Sequence, residues 1–279
     1  MQVSSNSLQL QQLRQWFAEA DCVLIGAGAG LSTAAGMTYG GERFRRNFAD
    51  FEQKYAFHDM YSGGFYPFPT EEEYWAFWSR MILVNRYFAG VPQLYADLHA
   101  IVKGKEYFVL TTNVDHCFQR AGFDKARLFY TQGDYGLFQC SVPCRQETYD
   151  NEAALRAMAA AQSEMRVPRE LLPLCPVCGA PMVPNLRTDG TFVEDAGWHA
   201  ACARYEQFLR ASEGKKLLLL ELGVGMNTPG IIKYPFWQMA ERRASARYVC
   251  INAAEAYAPA AIASRSLCIK EDLNILSQL

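Results

Sequence analysis

Five apolar runs of strand length punctuate this chain, and each gives way to glycine or to a small polar residue. They are CVLI (22–25), YFVLTTN (107–113), ARLFYTQ (126–132), KLLLLELGVG (216–225) and RYVCINA (247–253). Runs this continuously apolar suit strands buried on both faces. Helical patterns lie between them: SLQLQQLRQWFAEA (7–20), PQLYADLHAIV behind Pro92, and a stretch around FWQMAERRA. A last run, SLCIK, leads into the short helix EDLNILSQL. Such alternation implies an α/β fold with a doubly wound, mostly parallel, Rossmann-like sheet. Ligands of such a sheet gather where its strands end.

At 279 residues and 50% hydrophobic, the chain can bury one large α/β domain, or one domain carrying a smaller insertion. A formal charge of −2, from 27 basic and 29 acidic residues, argues against a broad grip on nucleic acid or an anionic membrane. The opening MQVSSNSLQLQQLRQW has neither the basic start nor the apolar stretch of a secretory signal, and no apolar run approaches the about 18 residues of a membrane span. The expected setting is cytoplasmic. Nine cysteines in a reducing compartment point to metal where clustered and to core where scattered.

Two segments interrupt the alternation. In residues 41–90, Thr70 and Glu73 form a capping box before the aromatic-rich EYWAFWSRMILVNRYFAG, and Gly90 is a natural stop. Residues 137–187 hold four cysteines, several prolines and an Ala-rich stretch at 153–161. We expect residues 1–40, 91–136 and 188–279 to build the Rossmann-like domain, and 41–90 with 137–187 a smaller helical and zinc-binding module. Cys140 and Cys144 form C-x₃-C, Cys175 and Cys178 the C-x₂-C of CPVCG, and 30 residues separate the pairs, a spacing that lets one tetrahedral Zn²⁺ join two knuckles. Four thiolates leave no open position for water, so that zinc would be structural. The competing reading is ordinary reduced thiols in a loop-rich insertion. Cys22, Cys117, Cys202, Cys250 and Cys268 have no paired spacing and are assigned to packing.

The turn after the first strand, GAGAG at 26–30, lets backbone N–H groups approach a phosphate at a helix N-terminus. It is not a dehydrogenase fingerprint. Leu31 and Thr33 occupy the third-glycine positions, and no acidic residue ends a clear second strand about 20 positions on. Hydride transfer is therefore disfavoured. A turn that selects glycine for tightness alone is the structural alternative.

GAGLSTAAGM (28–37) resembles the sirtuin signature of G-A-G, an apolar residue, Ser, three residues and G-I. TTNVD (111–115) resembles that family's T-Q-N-I-D, and TQG (131–133) falls where sirtuins carry a histidine followed by glycine. GVGMN (223–227) is similar to their G-T-S-x-x loop and IN (251–252) to their second ribose contact, so five motifs stand in the family's order. The resemblance implies NAD as co-substrate. By it, Gly28, Ala29, Gly30 and Ser32 would cradle the pyrophosphate, while Gly223, Gly225 and Asn227 would lie along the adenosine side. Asn252 would hold the adenine ribose, and Asn113 and Asp115 would face the nicotinamide ribose and carboxamide. Asn and Asp after a strand also cap the next helix, and both roles can coexist. His116 would start the helix HCFQRAG and is read as structural.

The departures from the family are equally informative. Sirtuins usually continue G-I-P-D-F-R, whereas this chain reads GMTYGGERFRRNF, so Phe44 and Arg45 stand as the F-R pair displaced by a short insertion. Arg43, Arg45 and Arg46 crowd a loop near the expected phosphates, either as guanidinium forks for an anion or as a solvated basic loop. The larger departure is Gln132. A deacylating sirtuin needs an imidazole to take a proton from a ribose hydroxyl, and general-base help is worth about 10²–10⁴ in rate. An amide cannot take that proton. Rupture of the nicotinamide–ribose bond develops an oxocarbenium-like centre that fixed dipoles can stabilise without a histidine. Asn113, Gln132 and Asp115 are thus the catalytic candidates for protein mono-ADP-ribosyl transfer.

Together with the altered loop and QGDYGLFQCSVPC, the glutamine is similar to the macrodomain-linked microbial sirtuins of class M. That resemblance implies a lipoylated glycine-cleavage H-like carrier protein as substrate, a setting of oxidative stress, and a macrodomain protein as a further partner. Two rivals stand beside this reading. One is an NAD-dependent protein deacylase in which another residue or water replaces the imidazole. The other is a non-catalytic NAD-sensing adaptor whose zinc insertion binds a partner.

Overall fold

The computed structural model describes residues 5–226 and 228–279. Its strands are β1 (Cys22–Ala27), β2 (Glu106–Thr111), β3 (Leu128–Tyr130), β4 (Gly133–Cys140), β5 (Thr148–Asp150), β6 (Met182–Leu186), β7 (Leu217–Leu222), β8 (Arg247–Ile251) and β9 (Ser266–Ile269). Six of them form one sheet in the order β3-β2-β1-β7-β8-β9, with every neighbouring pair parallel. The chain starts in the middle, winds out to β3, and returns to lay β7 on the other side of β1. That reversal opens a crevice beside β1, the usual ligand position of a doubly wound sheet.

Register sets the crevice level. Ala27 pairs with both Thr111 and Leu222, and Leu222 with Ile251. The four strands therefore end at one height, and GAGAG, TTNVD, GVG and IN emerge side by side. The strands are apolar throughout because both faces are covered. Val23, Ile25, Val109, Leu218, Leu220 and Val249 pack on one side with helices Ser5–Glu19 and Gln93–Val102. Leu24, Phe108, Phe129, Leu219 and Tyr248 pack on the other, against helices Ala196–Ala211 and Lys233–Arg242. The helix Ala196–Ala211 was not anticipated from sequence, although Trp198, Ala201, Cys202, Tyr205, Phe208 and Leu209 recur at helical spacing and pack toward this face of the sheet.

A second core is aromatic. Phe44, Phe48, Phe51, Phe57, Trp75 and Phe77 interlock with Phe138 of the small antiparallel sheet β5-β4-β6. The Thr70 cap forms, its Oγ1 accepting from the Glu73 N–H at 3.3 Å. Glu73 does not complete the box; its carboxylate turns to Lys54 at 2.7 Å and Arg166 at 3.3 Å. The helix that follows is regular over Glu71–Ile82 and then widens into a π turn at Leu83–Tyr87. β3 is shorter than the expected 126–132, since Asp124 caps a tight turn at Lys125–Arg127 and Thr131 and Gln132 already turn away. β4 begins at Gly133, ahead of position 137 where the sequence placed the insertion. Among the described residues, no helix is long and apolar enough to cross a membrane.

Candidate active site

The strand-end loops close on one another through backbone. Gly28 N–H donates to the Leu222 carbonyl at 3.0 Å and Gly30 N–H to the Gly223 carbonyl at 2.9 Å. A Cβ on Gly28 would lie 2.8 Å from the Gly223 carbonyl oxygen, and one on Gly30 2.8 Å from the Gly223 Cα. Gly223 itself has φ of 61°, and a Cβ there would meet the Leu31 nitrogen at 2.5 Å. The glycines thus serve first to let two loops touch. Asn252 continues the rim: its Nδ2 donates to the Val224 carbonyl at 3.2 Å, while its Oδ1 accepts from Ala254 and Glu255 N–H groups. Glu255 Oε2 in turn accepts from Met226 N–H at 2.9 Å, next to Gly225. Asn227 lies outside the described residues.

On the other flank the loops are joined by side chains. Asn113 Nδ2 donates to the Gly28 carbonyl at 3.0 Å and reaches Ser32 Oγ at 3.1 Å. Ser32 Oγ donates to Asp115 Oδ2 at 2.5 Å and lies 2.8 Å from the Tyr95 hydroxyl. Asp115 is buried, and its other oxygen accepts from Cys117 N–H at 2.9 Å, so it satisfies the first N–H of the short helix Cys117–Arg120 while it holds Ser32. Burial pushes the Tyr95 hydroxyl well above its ordinary value, which keeps it a neutral donor. Sequence reasoning missed Tyr95, whose place in an amphipathic helix is that of any core aromatic. Asn113 Oδ1 has no hydrogen-bond partner among the described residues.

Gln132 stands on the turn between β3 and β4. Its carbonyl accepts from Arg187 N–H at 3.1 Å, and Trp198 Nε1 donates to the Thr131 carbonyl at 3.1 Å. Gly133 has φ of 97°, and a Cβ there would stand 1.9 Å from the Asn185 carbonyl oxygen, so only glycine follows Gln132 here. The Gln132 side chain is partly exposed and has no hydrogen-bond partner among the described residues.

Phe44 and Arg45 do not join this rim. The helix Gly41–Tyr55 turns Phe44, Phe48 and Phe51 inward, and Phe44 is 0% exposed, stacked on Phe48 in the aromatic core. Arg45 faces solvent on the same helix, 4.0 Å from Glu52. Arg43 takes the inner position instead, donating to the Thr38 carbonyl at 2.8 Å, to Asn85 Oδ1 at 2.9 Å and to the Val84 carbonyl at 3.2 Å. With Met37, Tyr39, Arg46 and Phe88 it lines a cleft of about 1090 Å³.

Two known proteins match the chain over most of its length. It is 42% identical over 269 residues to "Protein ADP-ribosyltransferase" of Staphylococcus aureus (strain Mu50 / ATCC 700699), covering 96% of this chain and 85% of that protein. The chain belongs to the protein ADP-ribosyltransferase family. A second relative of this family member is a "Probable bifunctional ADP-ribose hydrolase/ADP-ribosyltransferase" of Fusarium oxysporum f. sp. cubense, 35% identical over 240 residues; the match takes in 81% of this chain but 39% of that protein. No protein-family model matches. Among solved structures, a Sir2 homologue–NAD complex superposes with a TM-score of 0.63 at 16% identity over 96% of this chain and 91% of that one. A Sir2–p53 peptide–NAD⁺ structure does so with 0.58 at 18% identity over 96% and 95%. The ADP-ribosyltransferase is thus built on the sirtuin fold.

The transferase's cysteines cluster as their spacing foretold. The Sγ atoms of Cys140, Cys144, Cys175 and Cys178 lie within 4.8 Å of one another, with Cys140–Cys178 and Cys144–Cys175 each at 3.6 Å. Thiolates about 2.3 Å from a tetrahedral zinc stand about 3.8 Å apart, so the four residues fit that ion. Backbone N–H groups of Cys178 and Val177 lower the Cys175 thiol to about 7, which favours the ligating thiolate. The knuckles join the end of β4 to the start of β6, at the margin of the aromatic core.

Proposed function

We propose that this chain is an NAD-dependent protein mono-ADP-ribosyltransferase whose acceptor is a lipoylated glycine-cleavage H-like carrier. Family membership supports transfer, and the glycine-packed crevice supports a dinucleotide. Gly28, Ala29, Gly30 and Ser32 are assigned to the pyrophosphate, Gly223, Gly225, Asn227 and Asn252 to the adenosine side, and Asn113, Asp115 and Gln132 to the labile sugar. NAD, when bound, supplies the ADP-ribosyl group and a nicotinamide leaving group. The Rossmann-like body (1–40, 91–136, 188–279) carries these residues, and the module (41–90, 137–187) flanks them. The carrier, the oxidative-stress setting and a macrodomain partner rest on the class M resemblance.

The observation that carries the reading is a pair of amides, Asn113 and Gln132. The Asn113 amino group is engaged by Gly28 and Ser32, which leaves Oδ1 as an acceptor for a sugar hydroxyl. Gln132 offers both a donor and an acceptor and does not titrate near neutrality. Two such groups orient hydroxyls and set dipoles against positive charge at the sugar, without taking a proton. Asp115, fixed by Ser32 and Cys117, adds a negative charge that needs no reorganisation as the reaction proceeds.

The test is to incubate the protein with NAD and the lipoylated carrier and to read intact mass. The expected product is carrier plus one ADP-ribose, with nicotinamide released in equal amount and the unlipoylated carrier unmodified. O-acyl-ADP-ribose formed from an acyl-lysine peptide, with the carrier unchanged, would replace this reading by deacylation. NAD binding without turnover on any acceptor would replace it by the adaptor role.

A further inference from the structure

Two residues after Gln132 stands a buried aspartate that hydrogen-bonds to neither amide. Asp134 is 5% exposed; its Oδ1 accepts from Arg86 Nε at 2.9 Å and from Gly136 N–H at 2.7 Å. Its Oδ2 lies 2.9 Å from His116 Nδ1. An ionised carboxylate only accepts, so Nδ1 carries the proton and donates. Burial raises the Asp134 carboxyl, but the His116 hydrogen bond and the Arg86 charge outweigh it and hold the group below its ordinary value.

The partners arrive from three separate segments. His116 directly follows Asp115, Asp134 stands two residues after Gln132, and Arg86 comes from the π turn Leu83–Tyr87. The same two loops also meet through backbone, Tyr135 N–H donating to the Val114 carbonyl at 3.0 Å. His116 has φ of 64°, a left-handed conformation uncommon for a side chain larger than glycine. Such a residue persists where its surroundings over-determine it. Gly136 fits the same arrangement, since a Cβ there would stand 2.8 Å from Arg86 Nη2.

We propose that His116, Asp134 and Arg86 form a strut that holds the Asn113–Asp115 loop against the Gln132 turn, making His116 a positioning residue for ADP-ribosyl transfer. The proposal rests on the transferase reading given above. The strut sets the spacing between the two amides that face the sugar. Imidazole and imidazolium both donate from Nδ1, so its work does not depend on the charge of the ring. Asparagine tolerates the left-handed conformation and carries a donor, whereas glycine accepts the conformation and has none.

His116→Gly and His116→Asn in the full chain separate these contributions. Carrier modification is followed against NAD concentration, with thermal unfolding and amide hydrogen exchange measured on the same preparations. We expect the glycine variant to stay folded, to keep its KM for NAD, and to lose about 10²-fold in kcat, the scale of an ångström misplacement. We expect the asparagine variant to recover most of that loss, with a pH profile matching wild type. In the free protein, protection of residues 113–116 and 132–135 should fall in the glycine variant and return in the asparagine one. Unchanged exchange in His116→Gly overturns the strut whatever the activity. So does a pH limb near an ordinary histidine value of about 6.5 that vanishes in His116→Asn, which would make the ring a proton acceptor instead. If wild type itself modifies no carrier, the transferase reading fails while the exchange result still decides the strut.

Discussion

The two flanks of the strand-end rim are built by opposite means. Between β1 and β7 the loops close backbone to backbone, with Gly28, Gly30 and Gly223 in contact because none has a side chain, and Asn252 and Glu255 extend that flank to β8. Between β1, β2 and β3 the closure is polar: Asn113, Ser32, Asp115 and Tyr95 tie three elements, and His116 and Asp134 tie the next turn behind them. The first flank is governed by volume and the second by hydrogen bonding. Substitutions should therefore fail in different currencies, stability on one side and turnover on the other.

Gly223→Ala should have the largest effect. The new Cβ would sit 2.5 Å from the Leu31 nitrogen and 2.7 Å from the Gly30 Cα, neither of which can rotate aside, at a φ of 61°. We expect a loss of about 3 kcal/mol, the upper end for overpacking, together with loss of NAD binding. Chemical denaturation and an NAD titration check it, and an unchanged midpoint would refute closure by volume. Gln132→Ala is the contrasting case. It removes a side chain with no protein partner among the described residues, so stability should stay within about 0.5 kcal/mol. The rate of carrier modification should nevertheless fall about 10²-fold, the scale of one lost dipole at a developing charge. Equal rates in variant and wild type would take Gln132 out of the reaction.

The contrast also explains what could be read from sequence. A glycine required by close approach leaves its mark in the sequence whatever it touches, so GAGAG, GVG and TQG announced the rim and the turn after β3. Cysteine pairs are legible for a similar reason, since metal geometry restricts their spacing. Polar side chains brought together by the fold leave no such mark. Tyr95 meets Ser32 across 63 positions, and nothing local distinguishes it from the leucines of its helix. Phe44 misled in the other direction: the F-R resemblance placed it at the ligand, whereas its spacing with Phe48 and Phe51 is the i, i+4, i+7 stripe of a buried helix face. The helix Ala196–Ala211 covers β2 and β3 with Trp198, Tyr205, Phe208 and Leu209, a stripe at helical spacing that was legible in the sequence. The alternation of strands and helices was legible because two-sided burial demands long apolar runs, and those runs alone fix the sheet's class.

The smallest effect distinguishes the flanks by their response to acid. In the unfolded chain Asp134 has an ordinary pKa of about 3.9. In the fold it lies below that, because His116, Arg86 and the Gly136 N–H favour the anion over the penalty of burial. The unfolded state thus binds the proton more tightly, and stability rises with pH through this window. The contribution is complete above about pH 4 and disappears as pH falls through the folded value. Asp134→Asn should therefore flatten the acid limb of the stability curve by at most one proton, or about 1.4 kcal/mol per pH unit. Gly223→Ala adds no titrating group and should lower the same curve without changing its slope. Urea midpoints from about pH 3 to 5 read both, and equal slopes in wild type and Asp134→Asn would show that the carboxylate is not held by the partners that surround it.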